Sequence, residues 1–376
     1  MTARKVALDA LVEIEATNAY ANLKLGPLLE RSGLDERDRR LVTELVYGTI
    51  RRQRSVDYLV DRFLVDSPPP AARAALRLGA YQLRLTDIPD HAAVAATVDV
   101  TPKRFRGLVN AVLRKVAKSA VEWPDDGTRL SYPDWIVDRL CTDLGDEAAI
   151  DALETMNRAP EVTVRDDGYT QDRSSQRVVE ALGVRPGQLV VDVCAAPGGK
   201  ATAMATFGAR VVAADFRPRR VGLIASNAQR VAAGRASDAS VWPVVADARR
   251  PPFRSACADV VLVDAPCSGL GVLRRRPDAR WRVSERDVAE LAEMQGAILA
   301  SSSDLVADGA LLAYSVCTLT AAETTGVAEA FAAEHPEFEP VAPPGDPWQR
   351  WGTGALLLPQ ADDSDGMALF LWRRRP

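Results

Sequence analysis

Four aspartates and two cysteines are the residues whose types and positions could do chemistry. Asp192 lies in a short β-branched run, and Asp215, Asp247 and Asp264 each close a later run of the same kind. In an open parallel sheet the carboxyl ends of the strands define the ligand crevice. One aspartate at such a place reads as a helix cap, but three in succession exceed that role. After the first run stands Cys194-Ala195-Ala196-Pro197-Gly198-Gly199-Lys200, a small loop that lets backbone approach a ligand before a helix begins. It is not GxGxxG. It is not a Walker loop either, because Cys194 stands where that pattern needs its first glycine and Ala201 follows Lys200. A nucleoside triphosphate is therefore disfavoured. Asp215 stands where an acidic group accepts from a ribose diol, which points to a ligand containing adenosine.

Cys267 lies in Asp264-Ala265-Pro266-Cys267-Ser268-Gly269 and Cys317 in Tyr314-Ser315-Val316-Cys317-Thr318, each just beyond an apolar run. A thiol in a polar loop at such a crevice is placed to act as a nucleophile. Cys141 and Cys257 read instead as small buried hydrophobes. The five cysteines contain no CxxC pair, which disfavours zinc and redox dithiols and points to a reducing, cytoplasmic setting. His91 and His335 are the two histidines, too few for a His-ligated metal or a Ser-His-Asp relay. No metal site is expected.

The elements that must position these groups follow from the rest of the chain. Its 376 residues, 47% hydrophobic and 26% charged with a net charge of −4, suit roughly two globular domains. Residues 1–120 predict an all-α bundle, with apolar stripes through Ala7, Leu8, Leu11, Val12 and Ile14, through Leu41, Leu45 and Val46, through Leu59 and Phe63, and through Leu76, Leu78, Tyr81 and Leu83. Pro68, Pro69 and Pro70 interrupt it and start a helix. This part holds 20 Lys and Arg against 14 Asp and Glu, leaving the remainder of the chain acidic. Residues 121–170 read as a linker with a helical stretch over 135–156 and a polar patch at 165–168. From 171 to 376 strands at 189–193, 210–214, 241–246, 259–263 and 310–314 alternate with helices such as 217–233 and 284–307, predicting a parallel, doubly wound sheet. The first residues lack the apolar core of a signal peptide, and no apolar run is long enough for a membrane span.

These residues resemble a known family. DVCAAPGGK, the later aspartates, DAPCSGLGVLRRRPDARW and YSVCTL are similar to the ordered motifs of S-adenosyl-L-methionine-dependent RNA cytosine-5 methyltransferases. The leader, with YANLKLGPLLE, LVYGTIRR, LRLGAYQL and RGLVNAVLRK, resembles the NusB-like RNA-binding domain of the bacterial 16S ribosomal RNA branch, the Sun or Fmu type. The fold class implied is a NusB-like helical bundle followed by a Rossmann-like α/β methyltransferase domain.

The resemblance implies that Cys317 adds to carbon 6 of cytosine, that Asp264 holds the ring at nitrogen 3, and that Cys267 helps eliminate the product. DNA cytosine methyltransferases attack with the cysteine of the Pro-Cys motif, so both thiols together favour RNA. The family pattern places residues 194–200 at the methionine end of the cofactor, Asp215 on the ribose, Asp247 near the adenine and Asp264 also at the pocket. Arg274, Arg275, Arg276 and Arg280, with Arg282, are expected to clamp the backbone of 16S ribosomal RNA, free or in a partly assembled small subunit. The chain is expected to work as a monomer, away from membranes.

The family's RNA-recognition-like subdomain is expected to be absent, since Asp166 to Tyr169 join the stretches that flank it. Asp365-Gly366-Met367 replaces a more aromatic closing strand. Two rival readings remain: a NusB-like RNA-binding protein whose methyltransferase half only binds cofactor, and a transfer-RNA cytosine-5 methyltransferase.

Overall fold

The computed structural model describes residues 2–17, 19–232 and 240–376. Packing divides the chain into two compact units. One takes in Met1–Asp138, Met156–Ala159 and Leu273–Arg282; the other Arg139–Thr155, Pro160–Val272 and Val283–Pro376.

The first unit is built on helices Ala3–Thr17, Ala21–Arg31, Glu36–Arg51, Gln53–Asp61, Pro70–Leu85, Asp90–Val100 and Arg106–Lys118. Their starts are chemically marked: the Asp35 carboxylate accepts from the Asp38 amide at 2.8 Å, and Pro70 opens its helix. The apolar stripes meet in one core, where Leu45, Leu59, Leu76, Leu78 and Leu113 are fully enclosed, each contributing about 2 kcal/mol by leaving water. Helices cross closely at Gly48, where a Cβ would stand 2.1 Å from the Tyr81 ring. Residues 121–138, read from sequence as linker, join this unit. Helix Asp126–Leu130 docks there, with the Ser55 hydroxyl donating to the Thr128 carbonyl at 2.7 Å.

Segment 273–282 also belongs to the helical unit, which corrects the expectation for two of its arginines. Arg280 is fully buried, over the Tyr132 ring at 3.8 Å. Its guanidinium donates to the carbonyls of Arg51 and Ser131, both at 3.1 Å, and to Asn157 Oδ1 at 3.0 Å. The Trp281 indole donates to the Ile50 carbonyl at 3.0 Å. Ile50 and Arg51 end helix Glu36–Arg51, where carbonyls outnumber intrahelical donors; the Arg52 amide reaches the Ile50 carbonyl, and a buried cation and an indole add further donors. Burial pushes the Arg280 guanidinium down to about 10. Arg274 is buried as well, its carbonyl accepting from Arg51. Neither side chain is presented to an RNA backbone. Arg275 is partly buried and Arg276 is exposed.

The second unit carries one sheet of strands β1 (Leu189–Asp192), β2 (Arg210–Asp215), β3 (Ser240–Val245), β4 (Ala258–Asp264), β5 (Val306–Val316), β6 (Phe338–Pro340), β7 (Gln349–Trp351), β8 (Gly354–Leu357) and β9 (Met367–Arg374). The order is β3-β2-β1-β4-β5-β9-β8-β7, with β6 also on β9. The first five strands are parallel, as expected, and the remaining pairings are antiparallel, so the sheet is mixed. From sequence, no strand is expected between 338 and 374 apart from the closing one. Strands of three or four residues show too little alternation to be seen. The chain runs outward from β1 to β3 on one side and from β4 to β5 on the other, which puts the switch point between β1 and β4.

Removing the Arg280 head strands helix-end carbonyls in the core. Arg280→Ala is expected to lower unfolding free energy by about 3 kcal/mol, against less than about 0.5 kcal/mol for Arg276→Ala, in urea titrations of the full chain. Equal effects would mean that the buried guanidinium is not a structural donor.

Candidate active site

Asp192 ends β1 directly over the switch point and is completely buried. Its Oδ1 accepts from the Cys194 amide at 3.3 Å, while Oδ2 is enclosed without a partner. Burial, then the nearby Asp264 charge, push its carboxyl up to about 8, with Lys200 opposing. Lys200 sits in the first turn of helix Gly199–Thr206 and is itself buried, its Nζ donating to Asp264 Oδ2 at 2.7 Å. Burial alone would lower the Lys200 pKa, but Asp264 outweighs it and the net shift is upward.

The loop from Cys194 to Lys200 turns through Gly198 at φ 104°, where a side chain would be strained and would also press on the Ile224 backbone at 3.2 Å. Ala195 and Ala196 are buried, Pro197 is exposed, and burial pushes the Cys194 thiol up. Asp215 ends β2, nearly buried, its Oδ1 accepting from the Arg217 amide at 3.0 Å. Asp247 lies two residues beyond β3 rather than at its end, and Arg249 occupies both of its carboxylate oxygens, at 3.1 and 2.8 Å.

The thiols meet. Cys267 Sγ and Cys317 Sγ are 3.2 Å apart and both partly buried. Parallel pairing of β4 with β5 in the register Asp264↔Ser315 places the two following loops side by side. The carbonyl of Cys317 accepts from the Gly271 amide at 3.0 Å, and Gly271 in turn accepts from the Gly366 amide at 2.8 Å. A Cβ at Gly271 would lie 2.4 Å from the Gly366 carbonyl oxygen, so the packing of these loops requires glycine there.

The two sulfurs share one hydrogen bond, and their surroundings differ. The bond to Cys267, helped by Lys200, lowers the Cys317 thiol against burial and the charges of Asp264 and Asp365. The bond to Cys317, burial, the charge on Cys317 and that of Glu323 hold Cys267 well above the ordinary thiol range. The surroundings thus bias the shared proton toward Cys267.

Sequence reading missed the supports. Glu323, fully buried, accepts from the Ser268 amide at 2.8 Å, from the hydroxyls of Ser268 at 2.5 Å and of Thr318 and Thr320 at 3.0 Å, and from Gln295 Nε2 at 3.0 Å. Gln295 also donates to the Pro266 carbonyl at 2.8 Å and faces the Tyr314 hydroxyl at 2.9 Å. The available signal was a hydroxyl residue directly after each cysteine, in want of an acceptor. The polar patch at 165–168 is a tight turn between Val164 and Thr170. Arg165, paired with Asp167, donates to the Gly199 carbonyl at 2.6 Å and to Thr202 Oγ1 at 3.2 Å, holding the first turn of helix Gly199–Thr206.

A β3-β2-β1-β4-β5 parallel sheet closed by an antiparallel strand, with acidic strand ends around a glycine loop, defines the Rossmann-like methyltransferase class. The sequence profile described as 16S rRNA methyltransferase RsmB/F matches residues 179–371, and that of the NusB family residues 1–118. Ribosomal RNA small subunit methyltransferase B of Thermus thermophilus is 36% identical, over 91% of each chain. The probable enzyme of the same name from Bacillus subtilis is 32% identical over 90% of this chain and 89% of its own. The crystal structure of PH0851 matches with a TM-score of 0.80 at 21% identity, covering 100% of this chain and 99% of that one, a likeness of fold alone. The chain belongs to the RsmB/F family of 16S rRNA methyltransferases and carries a NusB-family domain.

Among the described residues no helix is long and apolar enough to cross a membrane, and no group of three His, Cys, Asp or Glu could hold a metal ion.

A carboxyl with a raised folded-state pKa takes up a proton on folding, so its contribution to stability falls as pH rises from the ordinary 3.8 to about 8 and levels off beyond. Asp192→Asn is therefore expected to flatten the stability curve of ligand-free protein between pH 5 and 8, removing a slope of at most about 1.4 kcal/mol per pH unit in urea titrations. Parallel curves for the two proteins would contradict the buried, protonated state.

Proposed function

We propose that this chain methylates carbon 5 of a cytosine in 16S ribosomal RNA, with Cys317 as the nucleophile and S-adenosyl-L-methionine as the donor. The observation that carries the reading is the thiol pair 3.2 Å apart beside the Lys200–Asp264 ion pair.

The chain's residues fit this cofactor. Asp192 Oδ2 is a buried polar atom without a partner, on a carboxyl that burial keeps neutral and that a cationic ligand would draw toward its ionised form, and Gly198 leaves the loop free of side chain. Residues 194–200 would hold the methionine end and Asp215 the ribose, Asp264 would border the same pocket, and Asp247 would reach the adenine only on release from Arg249. When bound, S-adenosyl-L-methionine supplies an electrophilic methyl group.

Carbon 5 of cytosine is a weak nucleophile. Addition of the Cys317 thiolate to carbon 6 breaks the ring's 5,6 double bond and makes carbon 5 enamine-like. Asp264, oriented by Lys200, would accept a hydrogen bond from nitrogen 3 once the ring takes up a proton there, and that proton neutralises the charge the thiolate addition puts on the ring. Once Cys317 is bound as a thioether, it no longer offers Cys267 a thiolate acceptor or a negative charge, two of the causes that keep Cys267 protonated. Cys267, which is only partly buried, can then pass its proton to water and serve as base. It takes the proton from carbon 5, the C–H electron pair restores the double bond, and Cys317 leaves as thiolate. The target base must be unstacked for Cys317 to reach carbon 6.

Cys317→Ala is expected to cut methyl incorporation into 16S rRNA at least about a thousandfold while leaving cofactor affinity unchanged. Retained turnover would dismiss the nucleophile. Cys267→Ala should instead accumulate a covalent protein–RNA species, seen as a slow band on denaturing gels. Bisulfite sequencing of a deletion strain should show one 16S cytosine losing protection; loss in transfer RNA instead would favour that substrate.

A further inference from the structure

Glu323 belongs to none of the roles above, yet it is the most heavily bonded acceptor around the thiols. Its carboxylate faces five donors drawn from three parts of the unit: the loop after β4, the loop after β5, and helix Glu285–Ser303 through Gln295. Ser268 directly follows Cys267 and Thr318 directly follows Cys317, so Glu323 Oε2 joins the two cysteine-bearing loops one residue from each sulfur. The Ser268 and Thr318 hydroxyls are also 2.9 Å from one another. Two hydroxyls carry two protons for these three contacts, so the carboxylate is what lets both donate at once. Tyr314, on β5, donates to the Glu323 carbonyl at 2.6 Å and so anchors the residue's backbone too.

Burying a carboxylate is costly unless it is well bonded, and an apolar side chain would fill the same volume. What an apolar side chain could not do is hold Ser268 and Thr318 together. We infer that Glu323 is a positioning residue, a buried bracket that sets the separation of the Cys267 and Cys317 sulfurs and thereby the rate of methyl transfer. The inference rests on the catalytic roles proposed for the two thiols, and part of its test is independent of them. The charge of Glu323 also favours the protonated form of Cys267, in keeping with the same arrangement.

The test uses the full chain and two measurements. Diamide takes two electrons and two protons from a pair of adjacent thiols, leaving a disulfide and the hydrazine, so its rate of closing Cys267 to Cys317 gauges their separation without RNA. Single-turnover methylation of 16S rRNA gauges the chemistry. Glu323→Gln is expected to slow both by about tenfold or more, with KM for RNA and Kd for S-adenosyl-L-methionine within about twofold of wild type. Should that variant not fold, Ser268→Ala and Thr318→Val each detach one loop and are expected to slow cross-linking in the same sense. Wild-type cross-linking in Glu323→Gln would overturn the bracket and leave the Cys317 assignment standing. Parallel loss of cofactor affinity would overturn it too, by showing a general structural role. An active Cys317→Ala enzyme would remove the catalytic reading while the cross-linking result kept its meaning for geometry.

Discussion

Two sulfur atoms 3.2 Å apart share a single hydrogen bond, and the charged groups around them differ from one sulfur to the other. Left alone, a symmetric thiol pair would share its charge. Lys200 lies on the Cys317 side and Glu323 on the Cys267 side, so positive charge favours one thiolate and negative charge penalises the other. The sheet supplies the meeting itself. Because β4 and β5 are parallel neighbours, the loops leaving their carboxyl ends emerge at the same edge.

The same crevice gathers ionisable groups. Asp192, Lys200 and Asp264 stand within electrostatic reach of one another, and only the last two are paired directly. The unpaired oxygen of Asp192 is a cost to the ligand-free fold, and sites that bind cations often carry such a cost because the ligand relieves it. The turn at 165–168 contributes from outside the crevice, since Arg165 ties the Gly199 carbonyl and fixes where the helix bearing Lys200 begins.

The arginine run after the Pro-Cys loop illustrates a different constraint. Guanidinium groups are equally suited to phosphates and to clusters of backbone carbonyls, because both present acceptors to a planar fork of donors. In the helical unit the last carbonyls of helix Glu36–Arg51 outnumber the helix's own donors, and Arg280 with Trp281 adds to them. Composition cannot distinguish a cation waiting for RNA from one already satisfied.

Periodicity and motif order by themselves determined the class of each half: helical stripes through Leu45, Leu59 and Leu76, short β-branched runs ended by Asp215 and Asp264, the glycine loop, and the two cysteines. These are local signals, carried by spacing of one turn or one strand. The antiparallel strands beyond β5, the joining of 273–282 to the helical unit, the exposed pairing of Asp247 with Arg249, and above all Glu323 were decided by tertiary structure. A buried carboxylate has meaning only through the donors around it. Those of Glu323 come from positions 268, 295, 318 and 320, which become neighbours only when the sheet has closed.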